Sequence, residues 1–106
     1  MKLQKPKFVH MNGRLRLWDE ATLHVGCEAA IRGLNVFEGV KAYRQPDGSL
    51  AIVMLRHHYE RLQRSARLLY IPFEHSYEKF TRCIRELAEA LVQPDKEMWL
   101  RTTLFA

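Results

Sequence analysis

The sequence predicts an α+β domain with a mainly antiparallel sheet and two helices. Three observations carry this prediction: strand-like segments joined by short turns come first, two segments with helical periodicity follow, and one strand-like segment ends the chain. Strands and helices segregated along the chain in this way are typical of α+β domains. With 106 residues, the chain has room for one compact domain, so we treat residues 1–106 as a single domain.

The first strand-like segments form a predicted hairpin. Residues 8–11 and 14–18 flank Asn12 and Gly13. This dipeptide readily takes the two positive φ angles that a type I′ turn requires. Leucines and arginines alternate in the second of these segments, as expected of a half-buried strand.

A second hairpin is predicted between residues 36–44 and 50–55. The connection 45–49 contains Pro46 and Gly48, which favour a turn. Residues 50–55 are all apolar and do not alternate with polar residues. We therefore expect residues 50–55 to form a strand covered on both faces.

Two helices are predicted next, followed by a strand over residues 98–105. The first helix begins near residue 57, carries an apolar stripe and ends before Pro72; the stripe consists of Tyr59, Leu62, Ala66 and Leu69. The second helix begins after Ser76, a favourable N-cap. Its apolar stripe consists of Phe80, Cys83, Ile84, Leu87 and Leu91.

Composition and charge restrict the class of protein. The chain is 47% hydrophobic and 27% charged, which is globular composition and excludes a disordered chain. Its formal net charge is +5, and residues 56–85 hold seven cations against three anions. This surplus fits a solvated helix face or a surface that attracts phosphate groups, on nucleic acid or on a small cofactor.

Cysteine spacing and the N-terminal segment bear on metal binding and location. Cys27 and Cys83 are far apart and show no metal-ligand spacing, and His57 and His58 have no suitable neighbour, so we expect neither a metal site nor a disulfide. Residues 1–7 lack the apolar stretch of a signal peptide, and no apolar run could cross a bilayer. We expect a cytoplasmic protein that does not bind membranes.

Two arginines are candidate functional residues. On a helical projection, Arg61 lies at the edge of the apolar stripe beside His58 and Ser65. From there its guanidinium could bind a phosphate, or its stem could cover apolar surface. Arg101 lies on a strand with mostly apolar neighbours, where a buried guanidinium would need an internal glutamate or a ligand carboxylate as partner.

Glu38 and Lys41 do not form an acid–base pair. They are three residues apart in a predicted strand, so they should point to opposite faces of the sheet.

Four segments in register resemble the class IV (fold type IV) pyridoxal-phosphate enzymes, in particular the branched-chain amino acid aminotransferases. Residues 32–43 (RGLNVFEGVKAY) are similar to their YGxxVFEGxRAY segment, and residues 58–66 (HYERLQRSA), followed by Ile71 and Pro72, to their HxxRLxxSA…IP helix. The Met-Asn-Gly at 11–13 and the Trp-Leu-Arg at 99–101 fall in the same order and spacing. The resemblance extends from Val9 to Ala106.

The resemblance implies a role for six residues. Arg61 corresponds to the family's arginine that binds the phosphate of pyridoxal 5′-phosphate. The positions that correspond to the family's substrate pocket are Arg32, Phe37, Gly39, Trp99 and Arg101.

Two pocket-segment positions depart from the family pattern. Arg32 replaces the family's tyrosine, and a cation at this position suits a polar or acidic substrate better than leucine or valine. Lys41 replaces the arginine of GxRAY. The substrate class therefore stays open, and D-amino-acid aminotransferases and aminodeoxychorismate lyases remain alternatives.

The resemblance also implies what this chain lacks. The family's Schiff-base lysine lies in a second domain, and none of the six lysines here has a matching context. We therefore expect the N-terminal part of a larger, homodimeric aminotransferase that acts on an amino acid and a 2-oxo acid, without a catalytic residue of its own and inactive alone. A non-catalytic binding module is one alternative. A nucleic-acid binder is another, although the basic stretch has no interleaved aromatic residues.

Overall fold

The computed structural model describes residues 4–106; residues 1–3, part of the segment judged not to be a signal peptide, lie outside the described range. Two antiparallel sheets and three α-helices make up the described chain, with a short 3₁₀ turn at Trp18–Glu20. The elements in chain order are β1 (Phe8–Met11), β2 (Arg14–Leu17), α1 (Glu28–Arg32), β3 (Asn35–Arg44), β4 (Leu50–Ile52), α2 (Leu55–Leu68), α3 (Tyr77–Leu91) and β5 (Met98–Phe105). This architecture confirms the α+β prediction, and α1 is a short helix that the sequence patterns did not indicate.

The topology places β3 at the centre of the larger sheet. Strands β1 and β2 form a separate hairpin, whereas β4 and β5 flank β3 on its two sides in the order β4-β3-β5. The turn of the first hairpin has φ angles of 52° at Asn12 and 81° at Gly13. Both are positive, so the predicted turn is confirmed.

The prediction of a strand over residues 50–55 is wrong at its C-terminal end. Strand β4 stops at Ile52, Met54 has a φ of 55°, and α2 begins at Leu55. Val53 and Met54 are exposed, whereas Leu55 is buried as the first core residue of the helix. A continuous apolar run does not distinguish a buried strand from the start of a buried helix, so periodicity could not locate this boundary.

The two long helices bury part of the predicted stripes: α3 buries Phe80 and Ile84 and leaves the rest of its stripe half-buried. Helix α2 buries Tyr59, Leu62 and Ala66, but Leu69 follows its last residue and is 44% exposed. The backbone turns there, because Tyr70 takes a left-handed conformation with a φ of 55°. Helix α3 begins as predicted, with the Lys79 amide donating to the Ser76 side-chain oxygen at 3.1 Å.

The core lies between the larger sheet and the helices. Val40, Ala42 and Leu100 point from the sheet toward α2 and α3, whose buried residues complete the cluster. The opposite face of the sheet has no helix packed on it in the described part of the chain. None of the described helices has the length and apolar character needed to cross a bilayer.

Candidate functional site

One face of the β3–β5 pair is open, and we refer to it as the outer face. Side chains alternate between the two faces of a strand, so the buried positions of β3 define the inner face and the intervening positions define the outer one. Residues directly opposite on the outer face are Phe37 and Thr103, Gly39 and Arg101, and Lys41 and Trp99. Four of the predicted pocket residues therefore share one surface, namely Phe37, Gly39, Trp99 and Arg101.

Arg101 is exposed on this face, and the expectation that it would be a buried guanidinium is wrong. Its guanidinium carbon lies 4.8 Å from the centre of the Phe37 ring, a cation–π distance. Leu100 and Leu104 occupy the inner face, whereas strand alternation places Arg101 on the outer face, where it avoids the cost of burial. No carboxylate of the described chain forms an ion pair with it.

Gly39 leaves an open strip in the middle of the outer face. A methyl group built on its Cα would meet no atom within 4 Å. Packing within this domain therefore does not require glycine here, although glycine weakens a strand interior. The cross-strand pair of Gly39 and Arg101 lies between the pair that contains Phe37 and the pair that contains Trp99. The side chains of Phe37 and Trp99 are 54% and 69% exposed.

Arg61 forms an ion pair on the inner side of the same sheet. Its Nε lies 2.8 Å and 3.1 Å from the two carboxylate oxygens of Glu38, and its Nη2 lies 2.8 Å from Oε1. His58, one turn earlier on α2, places its Nδ1 2.7 Å from the same Oε1. Glu38 is only 5% exposed, whereas the Arg61 side chain remains 61% exposed.

The pKa of the Glu38 carboxyl is lowered by these contacts. The hydrogen bonds from Arg61 are the largest cause; burial opposes them, and the contact with His58 adds to them. A buried carboxylate is tolerated when it is paired and hydrogen-bonded in this way.

This trio was the part of the site that sequence analysis missed. Neither suggested environment of Arg61, a phosphate or apolar surface alone, included Glu38. The signal was present: Glu38 falls on an inward-facing strand position, where an acidic residue needs a cationic partner. Glu38 and Lys41 do point to opposite faces, as predicted, since Lys41 pairs with Glu97 at the other side of the sheet.

Arg32 lies at the end of α1 rather than on the sheet. Its Nε is 2.8 Å from the Glu28 carboxylate one turn earlier, and both side chains are largely exposed. Exposed pairs of this kind stabilise little, so the guanidinium is available for another partner. Its role in a substrate pocket stays a prediction, as do the roles of Arg61 and the outer-face residues.

The basic surplus of residues 56–85 does not form a uniform cationic surface. Between α2 and α3, a groove is lined by Arg56, Arg82 and Arg85 but also by Glu78, Glu86 and Glu89. Arg56 stacks on Tyr77, with 4.1 Å from its guanidinium carbon to the ring centre. Over residues 4–106, no group of histidine, cysteine, aspartate or glutamate side chains could hold a metal ion.

Curated relatives of the chain are branched-chain-amino-acid aminotransferases. The Pseudomonas aeruginosa enzyme is 36% identical over 74 residues, which are 70% of this chain and 24% of that protein. The Salmonella typhimurium enzyme is 29% identical over 87 residues, which are 82% of this chain and 28% of that protein. The chain thus spans under a third of the length of these relatives, and no family model matches it.

Solved structures show the same relationship in three dimensions. The Escherichia coli branched-chain aminotransferase superposes with a TM-score of 0.85 at 24% identity, which speaks for the fold, and the match covers 96% of this chain and 33% of that one. The Thermoproteus uzoniensis enzyme, solved with norvaline, superposes with a TM-score of 0.83 at 28% identity, over 95% of this chain and 33% of that one. The Thermobaculum terrenum enzyme, solved in its PLP-form, superposes with a TM-score of 0.76 at 26% identity, over 92% of this chain and 32% of that one.

The sequence and structural likenesses agree with each other and extend over most of the chain. The structural matches leave at most 8% of the chain uncovered. In sequence and in fold, the chain corresponds to the N-terminal domain of the class IV pyridoxal-phosphate aminotransferases of the branched-chain type.

Proposed function

We propose that the chain is the small N-terminal domain of a pyridoxal-phosphate-dependent aminotransferase that moves an amino group between an amino acid and a 2-oxo acid. Within that enzyme it contributes a ligand for the cofactor phosphate and one wall of the substrate pocket. The observation that carries the proposal is the grouping of Phe37, Gly39, Trp99 and Arg101 on one open sheet face. No helix of the described chain covers that face, so it is accessible to a substrate.

The described residues fit the phosphate end of this cofactor. Pyridoxal phosphate supplies the electron-withdrawing ring on which amino transfer depends. Arg61 is suited to its phosphate, because a guanidinium offers donors in a planar fork and this one remains largely exposed.

The described residues do not supply the cofactor-binding lysine. Lys5 and Lys7 precede β1, and Lys41 is engaged by Glu97. Lys79 lies in the first turn of α3, and Lys96 lies in the loop before β5. Without a lysine beside the cofactor, no side chain holds it covalently or moves the proton at the substrate Cα. We infer that the chain by itself binds ligands and does not catalyse the reaction.

The outer face suits a substrate with an apolar part and a carboxylate. The exposed rings of Phe37 and Trp99 offer apolar contact, and the donors of Arg101 offer a carboxylate site between them. A branched-chain amino acid has both parts. Arg32 favours a more polar donor, so a D-amino-acid aminotransferase or an aminodeoxychorismate lyase remains the second candidate.

Association of two copies belongs to the same proposal. Leu69 and Tyr70, directly after α2, leave apolar surface exposed away from the outer face, and such patches mark interaction sites. We propose a homo-oligomer that acts in the cytoplasm on small molecules, without nucleic acid or membrane as a partner. The mixed charges of the groove between α2 and α3 speak against nucleic-acid binding.

Arg61→Ala is expected to weaken the binding of pyridoxal 5′-phosphate to this chain by about tenfold or more, because charge-assisted hydrogen bonds to the phosphate are lost. Isothermal titration calorimetry measures the change. Arg64→Ala is the matched control, since Arg64 lies on the same helix without a contact to Glu38. Pyridoxal without its phosphate should not distinguish the variants. Equal affinity of the Arg61→Ala and unchanged chains for pyridoxal 5′-phosphate would contradict the assignment.

The isolated chain is expected to form no 2-oxo acid from branched-chain amino acids in the presence of pyridoxal phosphate and an amino acceptor, because it lacks the lysine that moves the proton. Chromatography of the products measures this directly. The control is pyridoxal phosphate without protein, which sets the background. Turnover above that background, abolished by changing one of the six lysines, would show that the chain is an enzyme by itself.

Arg32→Tyr in the complete enzyme is expected to shift the donor preference toward apolar amino acids, because an aromatic wall replaces a cation. The measurement is the ratio of kcat/KM for leucine to that for glutamate. Glu28→Gln serves as the control, since it removes the partner of Arg32 and leaves the cation in place. An unchanged ratio in Arg32→Tyr would exclude Arg32 from the substrate pocket.

A further inference from the structure

The guanidinium of Arg61 has two edges in different environments. One edge, formed by Nε and Nη2, faces the Glu38 carboxylate and makes three contacts of 2.8–3.1 Å. The other edge, formed by Nη1 and Nη2, includes Nη1, which donates to no acceptor in the described chain. Each edge of a guanidinium can hold one planar or tetrahedral anion.

Glu38 is itself held firmly. It lies in the central strand of the sheet, where its residue pairs with Thr102 of β5, and its side chain is buried. His58 contacts Oε1 at 2.7 Å, so the carboxylate is fixed from two positions one turn apart on α2. A flexible arginine tied to such an anchor has already lost the freedom that binding a ligand would otherwise cost.

We propose that Glu38 is a positioning residue for phosphate binding: it occupies the Nε–Nη2 edge of Arg61 and thereby presents the Nη1–Nη2 edge to the phosphate, so that carboxylate and phosphate bind one guanidinium together. This inference rests on the proposed role of Arg61. Lysine could not replace Arg61 in this arrangement, because an ammonium has no two separate edges. His58 completes the anchor by holding the carboxylate in its orientation.

The test follows the side-chain resonances of Arg61 in the ¹⁵N-labelled chain while inorganic phosphate is added. Without phosphate, we expect the Nε–H signal of Arg61 to exchange with water more slowly than that of exposed Arg64, because Nε donates to Glu38. With phosphate, the Nη signals should shift saturably while the Nε–H signal keeps its position and its slow exchange. That combination supports simultaneous binding at the two edges.

Two other results separate the possible failures. If phosphate moves the Nε–H signal to the position of an exposed arginine, phosphate displaces Glu38; the positioning role is then wrong while Arg61 remains a phosphate ligand. If no Arg61 signal responds to phosphate and Arg61→Ala binds it equally well, Arg61 is not a phosphate ligand and both proposals fall.

Glu38→Gln provides the decisive variant, since it keeps the size of the side chain and removes its charge. In this variant we expect the Arg61 Nε–H to exchange with water faster and its signal to shift when phosphate is added, because no carboxylate occupies the Nε–Nη2 edge. Glu60→Gln, next to Arg61 on α2 and paired with Arg56, should behave like the unchanged chain. An Nε–H signal as protected and as insensitive in Glu38→Gln as in the unchanged chain would overturn the proposal. If Glu38→Gln does not fold, the phosphate titration of the unchanged chain still tests the proposal, through the response of the Arg61 Nε–H signal.

Discussion

Leu62→Ala is expected to lower the free energy of unfolding by about 2–5 kcal/mol, the range for a leucine removed from a well-packed core. Leu62 is 1% exposed and lies in the middle of α2, in the cluster that joins this helix to the sheet. A domain of this size is stabilised by about 5–15 kcal/mol in total, so the variant would lose a large part of its stability. Urea unfolding followed by circular dichroism measures the loss.

Leu68→Ala is the matched control for this prediction. Leu68 belongs to the same helix and is 79% exposed, so its removal should change the free energy of unfolding by less than about 0.5 kcal/mol. Equal losses in the two variants would mean that α2 does not pack on the sheet through the Leu62 side. Because Arg61 is the neighbour of Leu62 on α2, the same packing also fixes the place from which Arg61 reaches Glu38.

Glu38→Gln is expected to cost about 1–3 kcal/mol of unfolding free energy at pH 7, since charge-assisted hydrogen bonds to a buried carboxylate are lost. The folded-state pKa of Glu38 lies below its ordinary value of 4.5. The ion pair therefore stabilises the fold fully above the ordinary carboxyl pKa, and this stabilisation is lost as the pH falls through the lowered folded-state pKa. The difference in free energy of unfolding between the unchanged chain and Glu38→Gln should therefore become smaller as the pH falls.

Urea unfolding at pH 7 and at pH 3 or below measures this difference. Other carboxyl groups with lowered pKa values, such as Asp47 and Glu89, titrate in both chains, so their contributions cancel. Glu60→Gln is the control, because its partner Arg56 is 3.9 Å away and both side chains are exposed. A difference between unchanged chain and Glu38→Gln that stays constant over this pH range would show that the Glu38 charge does not stabilise the fold.

Local patterns predicted most elements of the fold, and the failures have identifiable causes. The Asn12-Gly13 turn and the Ser76 cap depend on neighbouring residues, and both were correct. The end of β4 and the exposure of Leu69 were wrong, because both depend on where the chain changes direction. Those reversals occur at Met54 and Tyr70, which take positive φ angles that nothing in their residue types indicates.

For the candidate site, too, local patterns predicted some features and tertiary structure decided others. The motifs indicated its candidate members apart from Glu38, and strand alternation was enough to separate Glu38 from Lys41. The environment of the outer-face members depends on pairing between distant strands. The register of β3 with β5 brings Arg101 beside Phe37, and local sequence patterns do not show which residues of two distant strands pair.

The sequence by itself determined the fold class, the turns and caps, and the resemblance that assigns Arg61 to a phosphate and Arg101 to a substrate pocket. Only the tertiary structure decided that Glu38 is the partner of Arg61 and that four of the predicted pocket residues share one open face. The physical reason is that helical and strand periodicity are properties of adjacent residues. An ion pair across 23 positions exists only once packing has brought α2 against β3.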